Sequence, residues 1–203
     1  MSNSRLEKIE SYVLGVMEGR RKGRGPMLLL WVLRQYSYLF RGIVQVRLGL
    51  YRRGLFRHHA LGCQVLSVGN LTVGGTGKTP IVEVFARSLQ GKGRKVAILS
   101  RGYKRVQPRF SEKLMNFITL KSRGEPPLVV SDGERLLKDS ATSGDEPYML
   151  ASNLPDVAVV VDKNRVKAGQ YAIKHLGCDT LILDDGFQYQ SLKHRLDIVL
   201  VDR

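Results

Sequence analysis

The chain changes its hydrophobic rhythm at Gln64. From there on, short apolar runs rich in β-branched residues alternate with stretches of helical spacing. Q-V-L-S-V (64–68), K-V-A-I-L-S (95–100), D-V-A-V-V-V-D (156–162), T-L-I-L-D-D (180–185) and L-D-I-V-L-V-D (196–202) read as strands. P-L-V-V-S-D-G (127–133) reads as a short strand and turn. These runs do not alternate apolar with polar residues, so both faces of each strand are expected to be covered. Between them, residues 80–89, 145–153 and 164–176 carry helical spacing, the first with Pro80 in its opening turn, where a missing N–H is harmless. Such alternation predicts a doubly wound α/β domain with a mostly parallel sheet over residues 60–203. Residues 105–127 are irregular and polar, and no internal repeat interrupts the pattern.

The first 59 residues follow another pattern. Arg5 to Glu18 predicts an amphipathic helix, broken by R-R-K-G-R-G-P at 20–26. Met27 to Val46 is then rich in Leu and aromatic residues but is interrupted by Arg34 and Arg41. A membrane-spanning helix needs about 20 mainly apolar residues, and a central arginine costs at least ~2.5 kcal/mol. Arginines seven apart among Trp31, Tyr36, Tyr38 and Phe40 suit a helix lying in an anionic interface. A single spanning anchor is the alternative. No short apolar core with a small-residue cleavage site marks a signal peptide. Residues 1–59 are thus expected to form a basic, amphipathic, membrane-associating segment ahead of the α/β domain.

Charge supports that division. The formal net charge is +15, and the first 59 residues hold twelve Lys/Arg against three Asp/Glu. Nucleic-acid binding would be the other use of such a balance, but no recognition module or stacking platform is present, so no nucleic acid is expected. Cys63 and Cys178 stand far apart without a C-x-x-C or Cys/His cluster, which argues against a disulfide framework or zinc site.

Three constellations carry chemistry. S-V-G-N-L-T-V-G-G-T-G-K-T-P (67–80) puts a glycine loop between a strand and a helix, where backbone N–H groups and a helix N-terminus face an anion. Gly74, Gly75 and Gly77 let the backbone close on phosphate oxygens, Lys78 neutralises the β- and γ-phosphates, and the Thr79 hydroxyl holds Mg²⁺. Thr72 stands where the usual loop has glycine, so this is a variant of the pattern. L-I-L-D-D-G-F-Q (181–188) is an apolar strand ending in Asp184 and Asp185, which compete for the role of metal carboxylate. Gly144-Asp145-Glu146-Pro147 offers two carboxylates at a helix start, for chemistry or for simple capping. Arg101, at the end of its strand, is placed to clamp a phosphate or to pair with a surface carboxylate.

Read together, these residues resemble the tetraacyldisaccharide 4'-kinases, the lipid A 4'-kinases of Gram-negative bacteria. That family's V-G-N-L-T-x-G-G-x-G-K-T-P is matched throughout 68–80, Thr72 included. S-R-G-Y (100–103), G-D-E-P (144–147), Arg165, D-D-G-F-Q (184–188) and L-Y-R-R-G-L-F (50–56) extend the likeness over almost the whole chain. The resemblance implies a P-loop kinase fold and phosphorylation by ATP and Mg²⁺ of the 4'-hydroxyl of a tetraacylated glucosamine disaccharide phosphate. The setting it implies is the cytoplasmic face of the bacterial inner membrane. It assigns ATP to Thr72, Val73, Gly74, Gly75, Thr76, Gly77, Lys78 and Thr79, and the role of base to Asp145. The metal falls to Thr79, Glu146, Asp184 and Asp185, and the lipid substrate to Asn70, Arg101 and Gln188.

The likeness departs in two places. Tyr189 stands where the family usually has histidine. Family members also continue well past the position of Arg203, into a part supplying a histidine that works with the aspartate matching Asp145. His58, His59, His175 and His194 lie elsewhere. The expectation is an N-terminal portion with little or no kinase activity alone. The rival readings are a P-loop GTPase or ATPase of metallochaperone or targeting type, and a nucleotide-binding remnant without catalysis. The first wants an N/T-K-x-D guanine motif, which is absent.

Overall fold

The computed structural model describes residues 3–21, 23–56, 58–70, 77–102, 126–187 and 189–201. They fall into two compact units, Met1–Phe56 and Arg57–Arg203.

The first unit is two helices, α1 (Asn3–Met17) and α2 (Arg24–Arg52). Gly19 and Gly23, both at positive φ, end one helix and admit the next. α2 extends beyond the expected 27–46 at both ends. Pro26 sits in its first turn, where the backbone N–H groups have few intrahelical partners to lose. The 29 residues of α2 span roughly 44 Å at the usual helical rise. None of its residues is buried. Leu28, Trp31, Tyr36, Leu39, Phe40 and Ile43 are all exposed, and the helix carries five arginines and no acidic residue. No described helix is long and apolar enough to cross a membrane.

The second unit is a six-stranded sheet with helices on both faces. Its strands are β1 (Gln64–Asn70), β2 (Val96–Ser100), β3 (Leu128–Asp132), β4 (Ala158–Val161), β5 (Thr180–Asp184) and β6 (Leu196–Leu200). The helices are α3 (Lys78–Gln90), α4 (Ser140–Ser143), α5 (Asp145–Asn153) and α6 (Arg165–Leu176). Strand order is β3-β4-β2-β5-β1-β6. All neighbours run parallel except β3, which pairs antiparallel with β4 through a register shift between Val129 and Ser131.

Every residue of β2, β4 and β5 is buried, the signature of strands covered on both faces. Alternate residues feed two cores. Val68, Ile98, Val159 and Ile182 pack with Val82 and Ala86 of α3 and Leu150 of α5. Val65, Leu99, Val160 and Leu181 pack on the other face with Val166, Ala168 and Ala172 of α6. Burying a Val or Leu side chain is worth about 1.5–3 kcal/mol, so these two layers fix the sheet on which the site is built. Register then places that site: Val68 of β1 lies opposite Asp184 of β5, and Ser100 of β2 opposite Val161 of β4. The carboxyl ends of four parallel strands therefore share one edge, the edge where such sheets receive ligands.

Candidate active site

Thr72, Val73, Gly74, Gly75, Thr76 and Gln188 lie outside the described residues. The site is built from what flanks them. Gly77 caps α3 at φ 69°, a left-handed conformation that a side chain resists. The turn delivers Lys78 and Thr79 into the first turn of the helix itself. Lys78 Nζ lies 3.1 Å from Asp185 Oδ1, and Thr79 Oγ1 donates to Glu146 Oε1 at 3.0 Å. These pairs join residues 107 and 67 positions apart.

The D-D-G-F turn at the end of β5 folds back over β1. Asp185 takes a left-handed φ of 53°, which aspartate tolerates better than most residues. The Gly186 N–H then donates to Val68 O at 3.1 Å. A side chain at Gly186 would bring its Cβ to 2.4 Å from Leu183 Cβ and 2.9 Å from Ser67 Oγ, so only glycine lets the turn close.

Asp184 is buried, 5% exposed, and its Oδ2 accepts from Ser100 Oγ at 3.4 Å. Burial first, then the Glu146 and Asp185 carboxylates, push its pKa up to about 6, against the pull of Lys78 and the Ser100 hydroxyl. Asp185 is more open and is the partner of Lys78. The two aspartates that competed for one role thus occupy different environments, one buried among carboxylates and one paired with the lysine.

Asp145 opens α5 after Gly144 and is exposed. Its side chain makes no hydrogen bond or ion pair among the described residues, whereas that of its neighbour Glu146 is engaged by Thr79. Asn70 ends β1 and Arg101 follows β2 at the same edge. Among the described residues, no three His, Cys, Asp or Glu side chains form a metal-holding group by themselves. The oxygen donors present suit Mg²⁺ nonetheless. That ion is held by one or two carboxylates together with water and substrate phosphates, and it would relieve the crowding that burial and like charge impose on Asp184.

Two features were not assigned from sequence. Ser100, quoted only as the first letter of S-R-G-Y, touches Asp184. Arg165, quoted only as part of the family likeness, is buried at the start of α6 with Tyr189 beside it; no signal in the sequence joined the two. His58 and His194 contact the backbone oxygens of Gln190 and Tyr189, and His175 stacks on Tyr171.

A parallel sheet whose carboxyl edge meets a helix bearing lysine and threonine, opposite turns rich in carboxylates, defines an α/β protein shaped to receive a phosphate-bearing ligand. The profile of the family described as tetraacyldisaccharide-1-P 4'-kinase (LpxK) matches residues 29–203. The chain belongs to that family. It is 45% identical over 166 residues to the tetraacyldisaccharide 4'-kinase of Desulfotalea psychrophila, covering 82% of this chain and 43% of the relative. With the enzyme of the same name from Syntrophus aciditrophicus it shares 41% identity over 185 residues, 91% of this chain and 44% of the relative. The chain thus spans a little under half the length of these relatives. Among solved structures it matches the "apo" form of LpxK from Aquifex aeolicus in complex with ATP. That match has a TM-score of 0.71 and 39% identity, and it covers 85% of this chain and 49% of the other.

Proposed function

We propose that this chain serves the transfer of the ATP γ-phosphate to the 4'-hydroxyl of a tetraacylated glucosamine disaccharide 1-phosphate, a step of lipid A biosynthesis. One observation carries the reading: the first turn of α3 presents Lys78 and Thr79 to Asp185 and Glu146, with the open carboxylate of Asp145 next to Glu146. In this reading the ATP phosphates take Lys78 from Asp185. That exchange is cheap, because exposed ion pairs are worth only about 0–1 kcal/mol and the Asp185 side chain is 69% exposed. The N-terminus of α3 faces the same phosphates. Thr79, Glu146, Asp184 and Asp185 would hold Mg²⁺, which when bound neutralises charge on the phosphoryl group being transferred. Asp145 accepts the proton of the attacking sugar hydroxyl. Asn70, Arg101 and Gln188 contribute to the substrate side.

The direct test is transfer of labelled phosphate from ATP to the disaccharide acceptor, with product mapping to the 4'-position; label at another hydroxyl would overturn the assignment. Calorimetric titration of ATP gives a second check. Lys78→Ala should weaken binding roughly 10–100-fold, the range of one charge-assisted hydrogen bond to phosphate. Unchanged affinity would remove Lys78 from the site.

For location we propose an anionic membrane surface, with α2 lying in the interface at the cytoplasmic face of the inner membrane. The support is a helix without acidic residues whose aromatic and aliphatic side chains are exposed between arginines. Flotation with vesicles containing anionic lipid should recover the protein in a salt-sensitive manner, and equal recovery with neutral vesicles would contradict the electrostatic part.

A further inference from the structure

Arg165 is an arginine in an unusual position for one: only 4% of it is exposed. Its Nε–H finds no acceptor among the described residues. A buried donor left without a partner is destabilising, and native structures keep few of them without a use. The charges around the guanidinium are those of the proposed site. Burial pulls its pKa down and Arg101 adds to that, while Tyr189, Asp184 and Asp185 act in the opposite sense.

Tyr189 grips this residue at both ends. Its hydroxyl accepts from the Arg165 backbone N–H at 3.1 Å and donates to Asn164 Oδ1 at 3.3 Å. That same Asn164 oxygen caps α6 by accepting from the N–H groups of Val166 and Lys167. The guanidinium carbon meanwhile lies 5.5 Å from the centre of the Tyr189 ring, within cation–π range. Tyr189 is itself fixed. Its N–H donates to Gly186 O at 2.8 Å, the His194 ring lies 3.0 Å from its carbonyl oxygen, and its ring packs on the core beneath α6. A single side chain thus ties the start of α6 to the turn that carries Asp184 and Asp185.

The geometry points to Tyr189 as a positioning residue that holds the Arg165 guanidinium beside the Asp184–Asp185 turn, where its unused N–H meets a phosphate oxygen of a bound polyphosphate. This deepens the proposed function and rests on it only for the identity of that anion. The ring keeps the arginine from folding onto the neighbouring carboxylates, and the hydroxyl keeps the first residue of α6 in register with the turn. Arginine suits the task because its planar, rigid fork meets phosphate oxygens with little further ordering.

The test is a double-mutant cycle on the full chain, read by calorimetric titration with two probes: ATP with Mg²⁺, and inorganic tripolyphosphate. Tyr189→Leu should weaken both by about tenfold, in the range of one desolvated cation–π contact, and Arg165→Ala at least as much. The double variant should bind within about twofold of Arg165→Ala alone, because the two residues act as one unit. Tyr189→Phe, which keeps the ring, should recover most of the affinity, a rescue that loss of packing alone would not order in this way. Thermal unfolding of each ligand-free variant identifies any that do not fold; Tyr189→Gln replaces Tyr189→Leu in the cycle if it is one of them. Wild-type affinity in Tyr189→Leu, or penalties that multiply in the double variant, would overturn the inference. Coupling seen with tripolyphosphate but no binding of ATP would sink the nucleotide reading and leave this one standing. ATP binding without coupling does the reverse, and failure of both probes to bind wild type removes both.

Discussion

With the chain carried in a protein of its relatives' full length, Asp145→Asn is expected to leave ATP binding within about twofold of wild type and to lower phosphoryl transfer by ~10²–10⁴-fold, the usual worth of a positioned general base. The argument starts from the division of labour at the head of α5. Two carboxylates stand side by side there, and Thr79 Oγ1 donates to only one of them, Glu146. The Asp145 side chain is left exposed and without a bond among the described residues, although the residue opens the helix whose Glu146 meets the first turn of α3. A base needs a free lone pair in reach of the substrate hydroxyl, and the engaged Glu146 is the poorer choice. Asparagine has the same shape and keeps the polar helix start, so the fold and the nucleotide contacts should hold while the proton acceptor is lost. Initial rates with the disaccharide acceptor, beside calorimetric ATP affinity, separate the possibilities. Turnover within twofold of wild type would exclude Asp145 as base. A parallel fall in ATP affinity and rate would instead place it among the groups that bind the nucleotide.

The elements of the sheet could be read because buried parallel strands are continuous apolar runs. T-L-I-L-D and A-V-V-V contain no polar residue between their ends that could face water, and Asn164 and Gly177 bracket α6 as cap residues should. The placement of Lys78 and Thr79 at the head of α3 was legible for a local reason: a glycine turn feeding a helix marks its own start. What could not be read is strand order. Nothing local says that β5 lies between β1 and β2, and this is what brings Asp185 to Lys78 and Ser100 to Asp184. The different environments of Asp184 and Asp185 follow from one left-handed residue and one glycine too crowded to carry a side chain. Sequence alone left them interchangeable. Tyr189 was visible as a departure from a pattern, but its grip on Arg165 joins two residues 24 positions apart, one after a turn and one opening a helix.

Asp184→Asn should make the ligand-free protein more stable at pH 7.5 while removing metal-dependent transfer. Burial among carboxylates raises the pKa of Asp184 from 3.8 to about 6. The folded state therefore holds a proton between those values that the unfolded chain has released. Stability from this group rises as pH falls through 6 and levels off below 4. Above pH 6 the folded state instead carries an unneutralised buried charge that opposes folding by about 3 kcal/mol, from a shift of roughly two units at 1.36 kcal/mol each. Asparagine has no such charge, so at pH 7.5 the variant should unfold several degrees above wild type, since 1 kcal/mol moves a domain of this size by about 2–4 °C. The gap should close by pH 4.5, where Asp184 is protonated in wild type as well. Thermal unfolding in EDTA without nucleotide, followed by circular dichroism across that range, measures both ends. Equal midpoints at pH 7.5, or a difference that persists at pH 4.5, would show that Asp184 is not held as a strained carboxylate. Adding Mg²⁺ with ATP should stabilise wild type more than the variant, because only the carboxylate gains a counter-charge. The group that weakens the ligand-free fold is then the one that the proposed chemistry needs ionised, and on that proposal stability would be given up at Asp184 for a site ready to take a cation.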